Sequence, residues 1–219
     1  MEPFKVSNHL RDMVSAYPEA KLISEAAKHG GESARQAIAR QWLSEGIPFA
    51  FKDCPGIYES IRSWVGARLN IDPKELNVTG SARLGQSLSP RKLGTPFGSG
   101  SDLDIFIISS ELFEQLKSDF NQWSFDFESG AISASNDRES QFWKDNLHRG
   151  PKNIARGFID SSIVPNRERY SNVVNVAQTM YLLKEKLDVT PEAPKFSYAS
   201  VRCYKSWACY VQQISLGFQ

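Results

Sequence analysis

The sequence predicts an α+β fold in which a mixed sheet is flanked by helices. Three observations support this prediction. Helix-spaced apolar residues occupy both ends of the chain, short apolar runs typical of strands lie between them, and segments with glycine and proline separate the two patterns. The chain has 219 residues, of which 41% are hydrophobic, so it can form one large domain or two small ones with a substantial core.

The first third of the chain is predicted to be largely helical. Residues 1–45 carry apolar residues at helical spacing, and the Gly46-Ile47-Pro48 segment ends this helical region. Pro55 opens a second helix with an apolar side. A turn at Asp72-Pro73 then leads into a short strand at 77–79.

The middle of the chain is predicted to alternate between strands and helices. The segment 89–100 is rich in glycine and proline and is expected to be an exposed loop. An apolar strand follows at 103–108, and helices are expected at about 111–121 and 136–149. A third strand is expected within 155–164, where Pro165 ends it.

The last part of the chain is predicted to be helical. Helices are expected near 171–187 and 197–216, with a linker between them that contains Pro191 and Pro194. This interpretation places no strand after residue 165.

The charge balance and the cysteines limit the classes of function. Lys and Arg number 26 and Asp and Glu 25, so the net charge is +1 and any nucleic-acid binding would have to be local. Cys54, Cys203 and Cys209 are too few for a zinc site or a disulfide framework. No apolar stretch is long enough to span a bilayer and no signal peptide is recognisable, so we expect a cytoplasmic protein.

Two acids in the second strand are the strongest sign of chemistry. Asp102 and Asp104 are two residues apart, so a strand points both side chains to one face, and Asp104 lies within an apolar run. Buried carboxylates need a cation to offset them, and hard cations such as Mg²⁺ prefer oxygen ligands. The pair therefore predicts a two-metal phosphoryl-transfer site with Mg²⁺ or Mn²⁺. The alternative is that Ser101-Asp102 forms a turn and Asp104 is a solvated edge residue.

Gly80 and Ser81 are predicted to bind phosphate. Gly80 has no side chain, so a phosphate can approach its backbone closely, and the Ser81 hydroxyl can donate a hydrogen bond to a phosphate oxygen. If a helix begins directly after them, its N–H groups add to this anion site.

Together these motifs resemble the DNA polymerase β-like nucleotidyltransferase superfamily. Its signature is a Gly-Ser pair, here Gly80-Ser81, followed by two alternating acids on a strand, here Asp102 and Asp104. The resemblance implies a third acid on a later strand, and Asp160 in the segment 158–165 matches it. It implies that the three acids share two metal ions and that Asp160 assists deprotonation of the acceptor hydroxyl. Asp126 and Glu128 are alternative third acids in a weaker strand context.

The C-terminal segment resembles a helix of the cyclic-oligonucleotide and 2′-5′ oligoadenylate synthases, in which a lysine precedes a tryptophan by two positions. Here these are Lys205 and Trp207. The resemblance implies that Lys205 reaches the nucleotide, and Arg202 is expected on the same flank of the helix. Arg83 is predicted to bind nucleotide as well. The alternatives are that Lys205 is an ordinary surface lysine and that Trp207 belongs to the core.

The resemblance also implies a division of the chain and leaves several segments open. It predicts a catalytic core with N-terminal helices over 1–165 and a helical portion over 166–219 that closes over the nucleotide. The 20 residues between Ser81 and Asp102 are more than the family usually has, and Arg91 and Lys92 there predict a basic hairpin or flap. The basic stretch 149–156 is expected to contact phosphate or to be a solvated loop. Tyr198 or Tyr181 could stack on a base, or could simply pack.

The function that the resemblance implies is template-independent transfer of a nucleoside monophosphate from an NTP or dNTP to a hydroxyl. The product would be a cyclic or short linear oligonucleotide signal in bacterial anti-phage defence, as in defence nucleotidyltransferases of the Hailong type. Expected partners are the nucleoside triphosphate, a retained oligonucleotide product and an effector protein encoded nearby, with no membrane. The alternatives are an antitoxin that attaches AMP to a partner toxin and a non-catalytic binding module.

Overall fold

The structure, a computed structural model, describes residues 1–218 as eight α-helices and four β-strands. The helices are α1 (Ala20–His29), α2 (Gly31–Gln41), α3 (Pro55–Leu69), α4 (Gly80–Leu84), α5 (Ser110–Glu128), α6 (Asp137–Ala155), α7 (Ser171–Val189) and α8 (Trp207–Leu216). The strands are β1 (Leu76–Thr79), β2 (Leu103–Ile108), β3 (Phe158–Asp160) and β4 (Ala199–Tyr204). The α+β class is therefore confirmed.

The four strands form one mixed sheet in the order β1-β2-β4-β3. β1 pairs antiparallel with β2, β2 pairs parallel with β4, and β3 pairs antiparallel with β4. In this register Asp104 of β2 lies beside Ser200 of β4, and Asp160 of β3 lies beside Arg202 of β4. Residues that pair across a sheet point to the same face, so all four of these side chains share one face.

The two faces of the sheet differ in what covers them. Leu103, Ile105 and Ile107 of β2 point into the main core, which α3, α5 and α7 cover. On the other face, Phe106 and Ile108 pack beneath α8 and α2. Around Asp104 this face is not fully covered: a cavity lies there, and Tyr210 and Ile214 of α8 form part of its wall.

Local signals explain where several helices begin and end. Ser109, Asn136 and Ser206 cap α5, α6 and α8, since each side chain accepts a hydrogen bond from a backbone N–H of the first turn. α3 begins at Pro55 and ends at Asn70, which has a left-handed conformation (φ 53°).

The N-terminal and central boundaries differ from the sequence prediction. Residues before Ala20 contain only a 3-10 turn at Asn8–Leu10, and the helical region divides into α1 and α2 at Gly30. α6 continues through Pro151 as far as Ala155, so β3 is shorter than predicted and is followed by a 3-10 turn at Ser161–Ile163.

The predicted helix over 197–216 is wrong in its first half. Residues Ala199–Tyr204 form β4, and the helix begins only at Trp207. Val201 and Cys203 are buried in the main core, whereas Ser200 and Arg202, which alternate with them, are partly exposed. This alternation has the period of a strand. The sequence favours a helix here because Val201, Tyr204, Ala208 and Val211 also match helical spacing.

The strand β4 also corrects the predicted division at residue 165. Since β4 lies between β2 and β3, the segment after residue 165 contributes a central strand of the sheet and is not a purely helical portion. Among the described residues, no helix combines the length and the apolar character needed to cross a membrane.

Candidate active site

A cavity of about 570 Å³ opens on the incompletely covered part of the sheet face. Residues from all four strands line it, including Thr79 of β1, and β4 contributes polar residues between β2 and β3. The residues that line it include Gly80, Asp104, Asp160, Tyr198, Ser200, Arg202 and Tyr210. The cavity therefore contains part of the predicted site together with residues that the sequence analysis did not assign.

Asp104 and Asp102 hold adjacent places on this face. Asp104 is half-buried and its Oδ1 accepts a hydrogen bond from the Ser200 hydroxyl at 2.7 Å. Asp102 precedes β2, is exposed, and accepts a short hydrogen bond from the Ser197 hydroxyl. Serine hydroxyls from the segment 197–200 therefore orient both carboxylates, which the prediction for 197–216 as a helix could not show.

Gly80 begins α4 directly beside Asp104. Its φ of +68° lies in the left-handed region, and a Cβ at this position would lie 3.0 Å from Asp104 Oδ2. Any larger residue would combine backbone strain with contact against the carboxylate. Ser81 follows as the second residue of α4 and is half-buried. Gly80 therefore lies in contact with the Asp104 carboxylate at the wall of the cavity.

Asp160 lines the same cavity as Asp104 but comes from a different strand. β4 lies between β2 and β3, so Asp160 is two strands from Asp104, roughly 10 Å across the sheet at the usual strand spacing. Its Oδ1 instead accepts a hydrogen bond from Arg202 Nε at 2.6 Å. The predicted role of Asp160 as a metal ligand shared with Asp102 and Asp104 is therefore corrected, because an arginine neutralises its charge.

Arg202 lines the cavity, but from a strand and not from a helix. Its guanidinium lies 4.7 Å from the centre of the Phe158 ring and pairs with Asp160. Burial alone would lower the pKa of Arg202, but the hydrogen bond and the charge of Asp160 outweigh it and raise the pKa. The side chain therefore stays a cation at the edge of the cavity.

Lys205 lies at the other end of β4. It follows Tyr204, which pairs with Ile108, whereas the acids are near Ser200; at the usual rise per residue the separation is roughly 16 Å. Its Nζ pairs with Glu114 of α5 at 3.2 Å. The expectation that Lys205 and Arg202 face one site is corrected, since they belong to different elements.

Arg83 has a structural role. Its side chain is buried, and it donates hydrogen bonds to the carbonyl oxygens of Trp42, Gly46 and Ile47. Burial lowers the pKa of its guanidinium. These contacts fix the loop after α2, so the predicted nucleotide contact of Arg83 is not supported by its position.

The alternative third acids lie outside the cavity, on α5. Asp126 is buried and accepts hydrogen bonds from the Tyr170 hydroxyl at 2.9 Å and from Gln122, while Glu128 is exposed at the end of the helix. Within residues 1–218, no group of three or more His, Cys, Asp or Glu side chains is arranged to hold a metal ion.

The insertion between Ser81 and Asp102 forms a short hairpin. Gln86 pairs with Pro96 as an isolated bridge, and backbone hydrogen bonds join Ser87 with Gly94 and Thr95. Arg91 is exposed at its tip, as is Lys92, in agreement with the prediction of a basic hairpin. The Gln86 side chain also accepts a hydrogen bond from the Ala20 N–H, which ties the hairpin to α1.

The donor set of the cavity fits a hard cation in part. Mg²⁺ is commonly held by one or two carboxylates, with substrate phosphates and waters completing its coordination. Asp104 supplies one carboxylate to the cavity, and its Oδ2 lies close to Gly80, whereas Asp102 precedes β2 and is not among the residues that line the cavity. Asp104 is therefore the cavity carboxylate that fits such an ion, while the Asp160 carboxylate is held by Arg202.

The comparisons with known proteins give no relative for this chain: no family model matches it, and neither the curated proteins nor the solved structures contain a match.

Proposed function

We propose that the chain is a metal-dependent nucleotidyltransferase with a polymerase β-like core, which moves a nucleoside monophosphate from a nucleoside triphosphate to a hydroxyl without a template. The observation that carries this proposal is the contact between Gly80 and Asp104. A left-handed glycine at the start of a helix leaves room for a phosphate beside a carboxylate that a serine orients. The anti-phage role implied by the resemblance belongs to the same proposal.

The proposed reaction is a phosphoryl transfer that needs positioning and charge neutralisation. The oxygen of the acceptor hydroxyl bonds to the α-phosphorus, the bond from that phosphorus to the pyrophosphate oxygen breaks, and the hydroxyl proton passes to solvent. Bound Mg²⁺ would supply charge neutralisation for the phosphates. Asp102 and Asp104 would hold it, Gly80 and Ser81 would receive a phosphate at their backbone, and Arg202 would contribute positive charge at the edge of the cavity.

The test is pyrophosphate release from each of the eight ribo- and deoxyribonucleoside triphosphates with Mg²⁺ or Mn²⁺, with mass spectrometry of the products. We expect turnover by the natural chain and a loss of about 10³-fold or more in Asp104→Asn, equal to about 4 kcal/mol of transition-state stabilisation. The asparagine keeps the shape of the side chain, so the fold should be retained.

Two variants serve as matched controls. Asp145→Asn removes an exposed carboxylate from α6, outside the cavity, and should leave turnover unchanged. Asp160→Asn removes the acid that Arg202 holds, and should reduce turnover far less than Asp104→Asn. Equal turnover by Asp104→Asn and the natural chain, or no product from any triphosphate, would contradict the proposal.

A further inference from the structure

A second cavity of about 600 Å³ adjoins the cavity that Asp104 and Asp160 line, which we call the acid cavity. The two cavities share Ser161, Ser162 and Tyr198 in their walls. A ligand in one can therefore extend into the other past these three residues. Nothing in the proposed reaction so far uses the second cavity.

The second cavity is unusual for its exposed aromatic side chains. Phe142, Tyr181 and Tyr198 line it and are 45%, 66% and 62% exposed. They are three of the five aromatic side chains that the described part of the chain exposes to at least this degree. Aromatic rings are normally buried for their apolar area, so three exposed rings around one cavity form a surface suited to flat apolar groups.

Two cations lie in the wall of the same cavity, each with an acid nearby, and both can contact a phosphate. Arg167 lies with its guanidinium 5.1 Å from the centre of the Trp143 ring, and Lys184 of α7 is also in the wall. Lys184 forms an ion pair with Asp188. The one acid in the wall is Glu139, which already accepts a hydrogen bond from the Ser135 N–H at 2.6 Å.

Exposed rings beside cations are the combination that binds single-stranded nucleic acid, since bases stack on the rings and phosphates meet the cations. We propose that this cavity binds the end of a single-stranded oligonucleotide, with bases on Tyr181, Tyr198 and Phe142. Its terminal hydroxyl would then pass Ser161 and Ser162 into the acid cavity. The acceptor role rests on the proposed function, whereas the binding itself does not.

The test is the binding of a fluorescein-labelled eight-nucleotide oligothymidylate, followed by fluorescence anisotropy in the Asp104→Asn protein, which cannot extend it. Tyr181→Ala and Phe142→Ala should each weaken binding at least about fivefold through lost stacking. Phe125→Ala serves as the matched control, because this ring is 68% exposed on α5 and outside the cavity. It should leave the affinity unchanged.

A competitor without bases separates stacking from charge. An abasic oligonucleotide of the same length should bind at least about fivefold more weakly than oligothymidylate. If Arg167 and Lys184 provide the two phosphate contacts, the slope of log K against log salt should be about −1.4. Equal affinity for the abasic chain, no binding at all, or no effect of the Tyr181 and Phe142 variants would each overturn the inference.

The outcomes separate this inference from the proposed function. Binding that depends on Tyr181, without nucleotide transfer by the natural chain, would keep the oligonucleotide site and reject the enzyme. Pyrophosphate release that depends on Asp104, without oligothymidylate binding, would keep the enzyme and reject the site.

Discussion

One face of the sheet has two halves that differ in what lies above them. Near the ends of β2 and β4, Phe106 and Tyr204 are buried under Tyr210 of α8. Two residues earlier in each strand, Asp104 and Arg202 line an open cavity. The change from aromatic to polar side chains takes place within each strand, so the cavity lies where the polar residues replace the aromatic ones, with Tyr210 at its edge.

The largest expected effect is a loss of stability from a substitution in the covered half. Tyr210 is fully buried, its ring stacks on Phe106 with a centroid distance of 4.1 Å, and its hydroxyl donates to the Leu43 carbonyl oxygen at 3.1 Å. Tyr210→Ala should lower the free energy of unfolding by about 3–5 kcal/mol, because it leaves a large cavity under α8.

Urea denaturation measures this change, with Phe125→Ala as the exposed aromatic control, which should change stability by no more than about 0.5 kcal/mol. A loss below about 1 kcal/mol in Tyr210→Ala would mean that α8 does not hold down this half of the face, and the comparison of the two halves would fail.

A smaller effect is expected at Gly80 in the open half. Gly80→Ala forces a left-handed conformation on alanine and places its Cβ 3.0 Å from Asp104 Oδ2, so a loss of about 1–2 kcal/mol in stability is expected. Gly56→Ala is the matched control, because a Cβ there meets nothing within 4 Å and the residue is helical.

Gly56→Ala should leave the unfolding free energy unchanged or raise it by up to about 1 kcal/mol. Thermal or urea unfolding of the two variants decides the point. If both substitutions had the same effect, the close approach of Gly80 to Asp104 would not be a constraint on the sequence.

Arg202 at the boundary of the two halves should matter less for stability. Its pair with Asp160 is partly solvated, with side-chain exposures of 39% and 28%, so solvent screens the attraction. Arg202→Met should cost about 1 kcal/mol, counting the lost pair and the lost contact with the Phe158 ring. Arg202→Lys keeps the charge without the Nε donor and should cost less. If urea denaturation showed that Arg202→Met lowers the free energy of unfolding by more than about 3 kcal/mol, Arg202 would belong energetically to the covered half.

The sequence predicted the open half better than the covered half. The spacing of Asp102 and Asp104 and the position of Gly80 identified two neighbouring strand ends from local patterns alone. The role of β4 was not predictable in the same way, because Val201, Tyr204 and Val211 fit a helical stripe as well as Val201 and Cys203 fit a strand. The segment fits both the helical period and the strand period, and in the structure its pairing with β2 and β3 makes it a strand.

The error at β4 also explains the errors in the site. If residues 199–204 were helical, Arg202 and Lys205 would lie three apart on one surface and Asp160 could approach Asp104. As a strand, the segment separates Lys205 from the cavity and places Arg202 beside Asp160. Arg83 was misassigned for another reason, because its three carbonyl partners come from a loop near residue 45 that no local pattern connects to it.

At neutral pH the smallest effect concerns the opposite face of β4, because it appears only above about pH 9. Cys203 lies between Arg202 and Tyr204 and points into the main core, where burial raises the pKa of its thiol to about 12. In the unfolded chain the thiol ionises near its ordinary pKa of 9.0, so the stability that it contributes is present below pH 9 and is lost as the pH rises towards 12. Over that interval the natural chain should lose about 1.4 kcal/mol of unfolding free energy per pH unit more than Cys203→Ala.

Urea denaturation at pH 8, 9.5 and 10.5 measures this difference. In a second experiment at pH 8, a thiol reagent should modify Cys203 only after the protein unfolds. Rapid labelling of Cys203 in the folded protein would mean that the core beneath β4 opens, and that the polar cavity above it lacks the rigid support on which the comparison of the two halves depends.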